Sequence, residues 1–244
     1  MEMKDFISRF NFRSKSVLDH LQKGDLPLQK DDFTLNKVRK GKELFLEGSF
    51  PKRIYIIKRG KVKLFQRDPD GGEQIVYIYS SGEMFGYRPL LCEGAHPASA
   101  VAIEDSSIYY LSIDRFKSAL GQSALLSNIL LQNLSHEFTV LVNRIAVFGQ
   151  RTTRERLALS LLILREKYRK PDGQYGEISL SRADLAAFVG TTIETVARLV
   201  TRFRQDNIIR LVGRKIAVTD PHALMDLADC MTFDHKGSNQ EALN

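Results

Sequence analysis

The sequence predicts an α+β fold in three parts, a β-roll, one long helix and a winged helix-turn-helix, and three observations carry that prediction. Between Phe33 and Ile113 short alternating segments are punctuated by glycine. Residues 114–150 contain no proline and repeat apolar side chains at helical spacing. From Ser181 to Asn207 the chain reads as two short helices joined by a tight turn at Val189-Gly190-Thr191. The expected divisions are 1–118 for the β-roll with a helical lead-in and 119–150 for the long helix. Residues 151–230 form the helix-turn-helix domain, and 231–244 a loose polar tail.

In the lead-in, Phe6, Phe10, Leu18 and Leu21 are expected to pack, and Gly24 to Pro27 to end it. Lys40-Gly41, Glu47-Gly48, Arg59-Gly60, Asp70-Gly71-Gly72, Ser81-Gly82 and Glu93-Gly94 then separate the strands expected at Ile54–Ile57, Val62–Phe65, Ile75–Tyr79, Ala98–Ile103 and Ile108–Ile113. Such even spacing indicates an antiparallel sandwich or jelly roll. A metalloenzyme on this fold needs clustered histidines, whereas His20, His96, His136, His222 and His235 are scattered singly. An interaction module or a small-molecule-binding roll remains open.

In the long helix, Leu131, Leu134, Phe138, Leu141, Ile145 and Phe148 step by three and four in strict alternation. A seam that narrow suits a two-helix coiled coil and hence a homodimer; a single buried helix is the alternative. Leu126, Leu130, Val140 and Val147 form a second stripe, expected against the chain's own β-roll.

Gly149 to Thr153 interrupts the helical pattern as a hinge. Arg154–Arg169 resumes as a helix with LALSLLIL as its buried heart, and Lys170-Pro171-Asp172-Gly173 is a turn before a short strand at Ile178. Ser181 with Asp184, and Thr191 with Glu194, have capping-box spacing, and Gly190 can take the left-handed conformation that closes a helix. Val196, Val200 and Phe203 share one face of the second helix, while Glu194, Arg198, Thr201 and Arg202 lie on another. A free polar face there suits the DNA major groove, where arginine donates two bonds to guanine and glutamate accepts from cytosine. An ordinary surface ion pair between Glu194 and Arg198 is the competing reading. Ile208–Leu211 and Lys215–Val218 flank Val212-Gly213-Arg214 as a hairpin wing, with Arg214 and Lys215 set to meet phosphate.

Charge agrees with this division. The net charge is +7, and residues 151–220 alone hold 14 Lys/Arg against 8 Asp/Glu. That local excess is the sequence-independent attraction a DNA-binding module needs. Cys92 and Cys230 are too few for a disulfide framework and fit a reducing cytoplasm. No apolar run reaches the ~20 residues of a membrane span, so no membrane partner is expected.

Gly190-Thr191-Thr192-Ile193-Glu194-Thr195-Val196-Ala197-Arg198 resembles the recognition helix of the Crp/Fnr superfamily of bacterial transcription regulators. Gly41–Phe65 and Gly82-Glu83-Met84-Phe85-Gly86 are similar to its cyclic-nucleotide-binding-like β-roll, and the likeness runs from about Phe33 to Ala228. The resemblance implies a sensor β-roll and pairing through the long helix. It also implies DNA contacts from Thr192, Ile193, Glu194, Thr195, Arg198, Arg202, Arg214 and Lys215. Double-stranded DNA carrying an inverted repeat is the implied partner, with RNA polymerase at the loop Lys170–Glu177.

The family's cyclic-AMP cassette is not kept: Tyr87 stands where its ribose-binding glutamate falls, and Pro97-Ala98 where its Arg-Ser meets the phosphate. With no guanidinium in the phosphate seat, an effector other than cyclic AMP, or none, is expected. Its pocket would draw on Tyr87, Arg88, Ser99, Asn128 and Gln132, with Asn133 and His136 nearby; Tyr87-Arg88-Pro89 as a mere rigid loop stays open. No metal site is expected, and His96 reads as a surface-loop histidine rather than a haem ligand. The iron–sulfur branch is disfavoured because residues 1–91 hold no cysteine. A nucleotide-binding regulatory subunit of a larger assembly is the competing function.

Overall fold

The computed structural model describes residues 3–12, 16–170 and 172–228. The Leu18 side chain, Pro171, Cys230 and the tail from Met231 lie outside the described residues. The chain forms two compact units, Phe12–Thr139 and Val140–Asn244, the second also taking in Met1–Asn11.

The first unit opens with a helix, and strands follow. After α1 (Met3–Ser8), which belongs to the other unit, come α2 (Ser16–Lys23), β1 (Phe33–Val38), β2 (Glu43–Phe45), β3 (Arg53–Arg59), β4 (Val62–Arg67) and β5 (Glu73–Tyr79). β6 (Met84–Phe85), α3 (Arg88–Leu91), β7 (Ser99–Ala102) and β8 (Ser106–Ser112) complete the roll. Two four-stranded antiparallel sheets result, in the orders β1-β8-β3-β6 and β2-β7-β4-β5. The five expected strands are present; β2 and β6, at three and two residues, are too short for alternation to announce them. Ile113 leaves the last strand, because the Ser112 hydroxyl accepts from the Arg115 N–H at 3.3 Å and starts α4 (Ile113–Gln122).

The sheets meet through aromatic rings: Phe45 on Tyr55 and Phe85, and Tyr79 stacked on Phe85 at 4.7 Å. The buried carboxylate of Glu83 is paired. Glu83 accepts from the Tyr77 hydroxyl at 2.7 Å and from the Ser80 N–H and hydroxyl at 2.6 and 2.8 Å, and the Tyr77 oxygen accepts from the Phe12 N–H at 2.7 Å.

The expected single helix across 114–150 is broken at Ser123. Gly121 weakens the first segment, and Ser123 caps the second, its hydroxyl accepting from the Leu126 N–H at 3.2 Å. The long helix is therefore α5 (Ala124–Gln150), 27 residues. Leu126, Ile129 and Leu130 join Ile54, Ile56, Met84, Tyr87 and Leu111 in the core of the roll. Val140 and Val147, expected on that same surface, are buried and fall in the second unit.

The second unit is built on α6 (Thr153–Lys167), whose residues Leu157 to Leu164 are all buried; a helix apolar all round must lie inside. α7 (Arg182–Val189), α8 (Ile193–Gln205), β9 (Ile209–Val212), β10 (Lys215–Val218) and α9 (Pro221–Leu227) surround it, and α1 packs on α6 with Phe6 and Ile7 buried. The lead-in up to Asn11 thus belongs to this unit and not to the β-roll. The strand expected at Ile178 reduces to one bridge, Ile178 to Ile216.

His96, expected on a surface loop, is buried and stacked on Phe45 at 3.7 Å. Burial lowers its pKa to about 4, so the imidazole is neutral. Unfolding restores the ordinary value near 6.5. The unfolded chain therefore binds the extra proton first, and the stabilisation, complete above that pH, is lost as pH falls toward 4. Wild type should lose roughly 2 kcal/mol relative to His96→Phe, which keeps the stack, between pH 7.5 and pH 4.5 in urea unfolding. Parallel pH profiles for the two proteins would show that His96 is not held neutral.

Candidate nucleic-acid interface and buried cavity

The turn between α7 and α8 is set by local chemistry. Ser181 caps α7, accepting from the Asp184 N–H at 2.9 Å, and Gly190 closes it at φ 74. Both the Gly190 and Thr191 N–H groups donate to the Ala186 carbonyl, at 2.9 and 3.1 Å. That engagement makes Thr191 part of the closure, so the cap of α8 is Thr192 and not the Thr191 paired with Glu194 that sequence spacing suggests. Thr192 accepts from the Thr195 N–H at 3.3 Å and donates to the Thr195 hydroxyl at 3.1 Å. Both hydroxyls are thereby engaged in starting the helix. From α6, Arg156 donates to the Gly190 carbonyl at 3.1 Å and holds the turn.

Val196, Leu199, Val200 and Phe203 bury one face of α8. Ile193, Glu194, Arg198 and Arg202 are exposed. Glu194 and Arg198 form no ion pair or side-chain hydrogen bond among the described residues, which removes the surface-pair reading. Arg202 pairs with Asp206 at 3.2 Å. Ala197, Arg198, Thr201, Arg202 and Gln205 line an open concavity with Arg154 of α6. Arg154 was not singled out by sequence; it lies on another helix, and nothing in its own neighbourhood marks it. Arg214 and Lys215 are exposed at the tip of the β9–β10 wing, where Gly213 takes φ 60 at the first position of a two-residue turn.

In the β-roll the effector residues named from sequence do not converge. Arg88 lines a cavity of about 30 Å³ with Phe45, Leu64, Tyr79, Gly86, Pro89, His96, Pro97 and Ala98. Tyr87 is buried in the core behind it. Ser99 is buried, accepting from the Glu47 N–H at 3.0 Å, and does not line the cavity. Asn128 and Gln132 are exposed, because the face of α5 turned to the roll runs through Leu126, Leu130, Asn133 and Glu137. Glu137, missed in the sequence, follows from extending the Leu126 and Leu130 stripe by three and then four residues. It is 2 % exposed and accepts from the Tyr87 hydroxyl at 3.1 Å and from Arg88 Nε at 2.5 Å. Burial, and then the negative charge of Glu137, hold the Tyr87 pKa far above its ordinary value against the opposing charge of Arg88, so it is a neutral donor. Arg88 also donates to the Tyr79 hydroxyl at 3.2 Å. Among the described residues no group of three or more His, Cys, Asp or Glu is placed to hold a metal ion, and no helix is long and apolar enough to cross a membrane.

Residues 35–123 match the family model of a cyclic nucleotide-binding domain, and residues 155–227 that of a Crp-like helix-turn-helix domain. The transcriptional activator protein Anr of Pseudomonas protegens is 28% identical over 220 residues, covering 89% of this chain and 86% of the relative. The fumarate and nitrate reduction regulatory protein of Escherichia coli is 26% identical over 193 residues, covering 78% and 77%. The structure of FixK2 from Bradyrhizobium japonicum shares the fold with a TM-score of 0.72 at 24% identity, over 80% of this chain and 96% of that one. Both domain models, matched in this order on the β-roll and the helix-turn-helix described above, make the chain a member of the Crp/Fnr superfamily of DNA-binding transcription regulators.

Proposed function

We propose that this regulator acts in the cytoplasm as a non-enzymatic homodimer on an inverted repeat, pairing through α5 and reading each half-site with α8. The observation that carries the dimer is the seam: Leu131, Phe138 and Ile145, seven residues apart, are 61, 69 and 76% exposed in the single chain. Three large side chains in one line on a helix are a surface to be covered. Leu134, Leu141 and Phe148 flank them, half-buried. Pairing would set two α8 helices about one DNA turn apart, 34–36 Å. Thr192, Thr195, Arg202, Arg214 and Lys215 would serve the backbone. Arg198 would meet guanine, Glu194 the opposite cytosine, and Ile193 a thymine methyl, in a half-site containing a GA step. A regulatory subunit of a larger assembly has no use for this basic reading head.

The family mechanism is a population shift in how the DNA-binding domains are set about the connection Gly149 to Thr153. The loop Lys170–Glu177, with Tyr175 exposed, is the surface proposed for RNA polymerase. Cyclic AMP does not suit the sensor: Pro97 and Ala98 offer no charge, and the single guanidinium at the cavity already answers Glu137.

Arg198→Ala should cost about 1–3 kcal/mol on the inverted repeat and little on random DNA in gel-shift titrations; equal losses would reduce Arg198 to a phosphate contact. Phe138→Glu should give monomers by light scattering and abolish binding to the repeat, since a coiled-coil core rejects a bare charge. A dimeric variant would mean that α5 is not the pairing helix. Calorimetry with cyclic AMP at tens of micromolar should show no saturable heat, and a clean isotherm would return Arg88 to the role of phosphate ligand.

A further inference from the structure

We infer that Glu137 is a built-in occupant of the sensor, holding Arg88 as a bound anion would, so that the regulator reaches its DNA-binding form without a small-molecule effector. This rests on the dimeric DNA-binding reading and extends it to regulation. Arg88, which lines the cavity, already has partners: Nε donates to Glu137, a terminal nitrogen donates to Tyr79, and the guanidinium lies 5.2 Å from the Phe12 ring centroid. Glu137 in turn takes the Tyr87 hydroxyl on its other oxygen. What remains open is about 30 Å³, room for roughly one water molecule. An incoming anion would have to share Arg88 with the charge of Glu137 beside it, or displace Glu137 and leave a carboxylate buried with no cation; both disfavour entry.

The pair also acts on the helix that we assign to pairing. Glu137 precedes Phe138 and lies between Leu134 and Leu141. Tying Glu137 to the roll fixes the rotation of α5 there and leaves Phe138 facing solvent. The side chain that a ligand would otherwise supply is carried by the helix itself, 49 residues from Arg88 in sequence.

The test uses the full-length protein, a DNA fragment carrying its inverted repeat, and no added small molecule. Native mass spectrometry of the purified dimer should show no mass beyond two chains. Protein that has been unfolded, exhaustively dialysed and refolded should bind the fragment within about threefold of its original affinity. Glu137→Gln and Arg88→Met, folded by circular dichroism, should each weaken dimerisation and DNA binding more than about tenfold. The double variant Arg88→Met with Glu137→Met should recover most of that loss, because an apolar pair can fill the space of a buried ion pair. An additional bound mass, together with loss of DNA binding after refolding, would establish an effector and overturn the inference. Folded single variants with wild-type DNA affinity would reduce the pair to a brace and overturn it as well. Failure of the purified wild type to bind any inverted repeat would instead remove the DNA-binding reading on which both proposals stand.

Discussion

A 27-residue helix with apolar side chains on three sides sets the terms for the rest of this protein. One chain can bury only part of that circumference. Leu126, Ile129 and Leu130 go to the core of the β-roll, and Val140 and Val147 are buried in the second unit. Leu131, Phe138 and Ile145 stay in water, each forgoing about 1.5–3 kcal/mol available from full burial. A second copy of the same helix is the cover we propose, and a seven-residue interval is the spacing at which two such helices mesh.

The DNA-binding unit solves a different problem, holding a polar helix face out while keeping its backbone rigid. The buried run of α6 supplies the mass, and Arg156 secures the Gly190 carbonyl at the turn. Further support comes from Arg144 of α5, almost buried, with its guanidinium 4.6 Å from the Phe188 ring centroid. Against that frame Glu194 and Arg198 remain exposed and uncommitted, as a reading surface needs.

In the roll, the cavity at Pro97 and Ala98 is lined by aromatic rings and by one arm of an internal ion pair. Phe45, His96 and Tyr79 fill the space beside Pro97 and Ala98, and desolvation leaves His96 neutral. The single guanidinium there is answered by a carboxylate of the same chain. A fold shared with nucleotide-binding relatives therefore carries no commitment to a nucleotide.

Sequence by itself determined the fold class, the helix-turn-helix and the wing, and it displays the heptad pattern that we propose as a seam, because each is written in periodicities and turn residues within about twenty positions. Gly190 between two apolar runs announces the tight turn, and Leu131 to Phe148 announces the seam, whatever lies elsewhere in the chain. The break at Ser123, the cap at Thr192 and the outward setting of Asn128 and Gln132 needed coordinates. There, several local choices were nearly equal, and partners such as the Ala186 carbonyl selected one. Tertiary structure alone decided that Arg88 meets Glu137 and that Arg154 joins Arg198 at one concavity. Such meetings depend on how strands and helices stack across long stretches of chain, and no residue within reach of a local pattern encodes them.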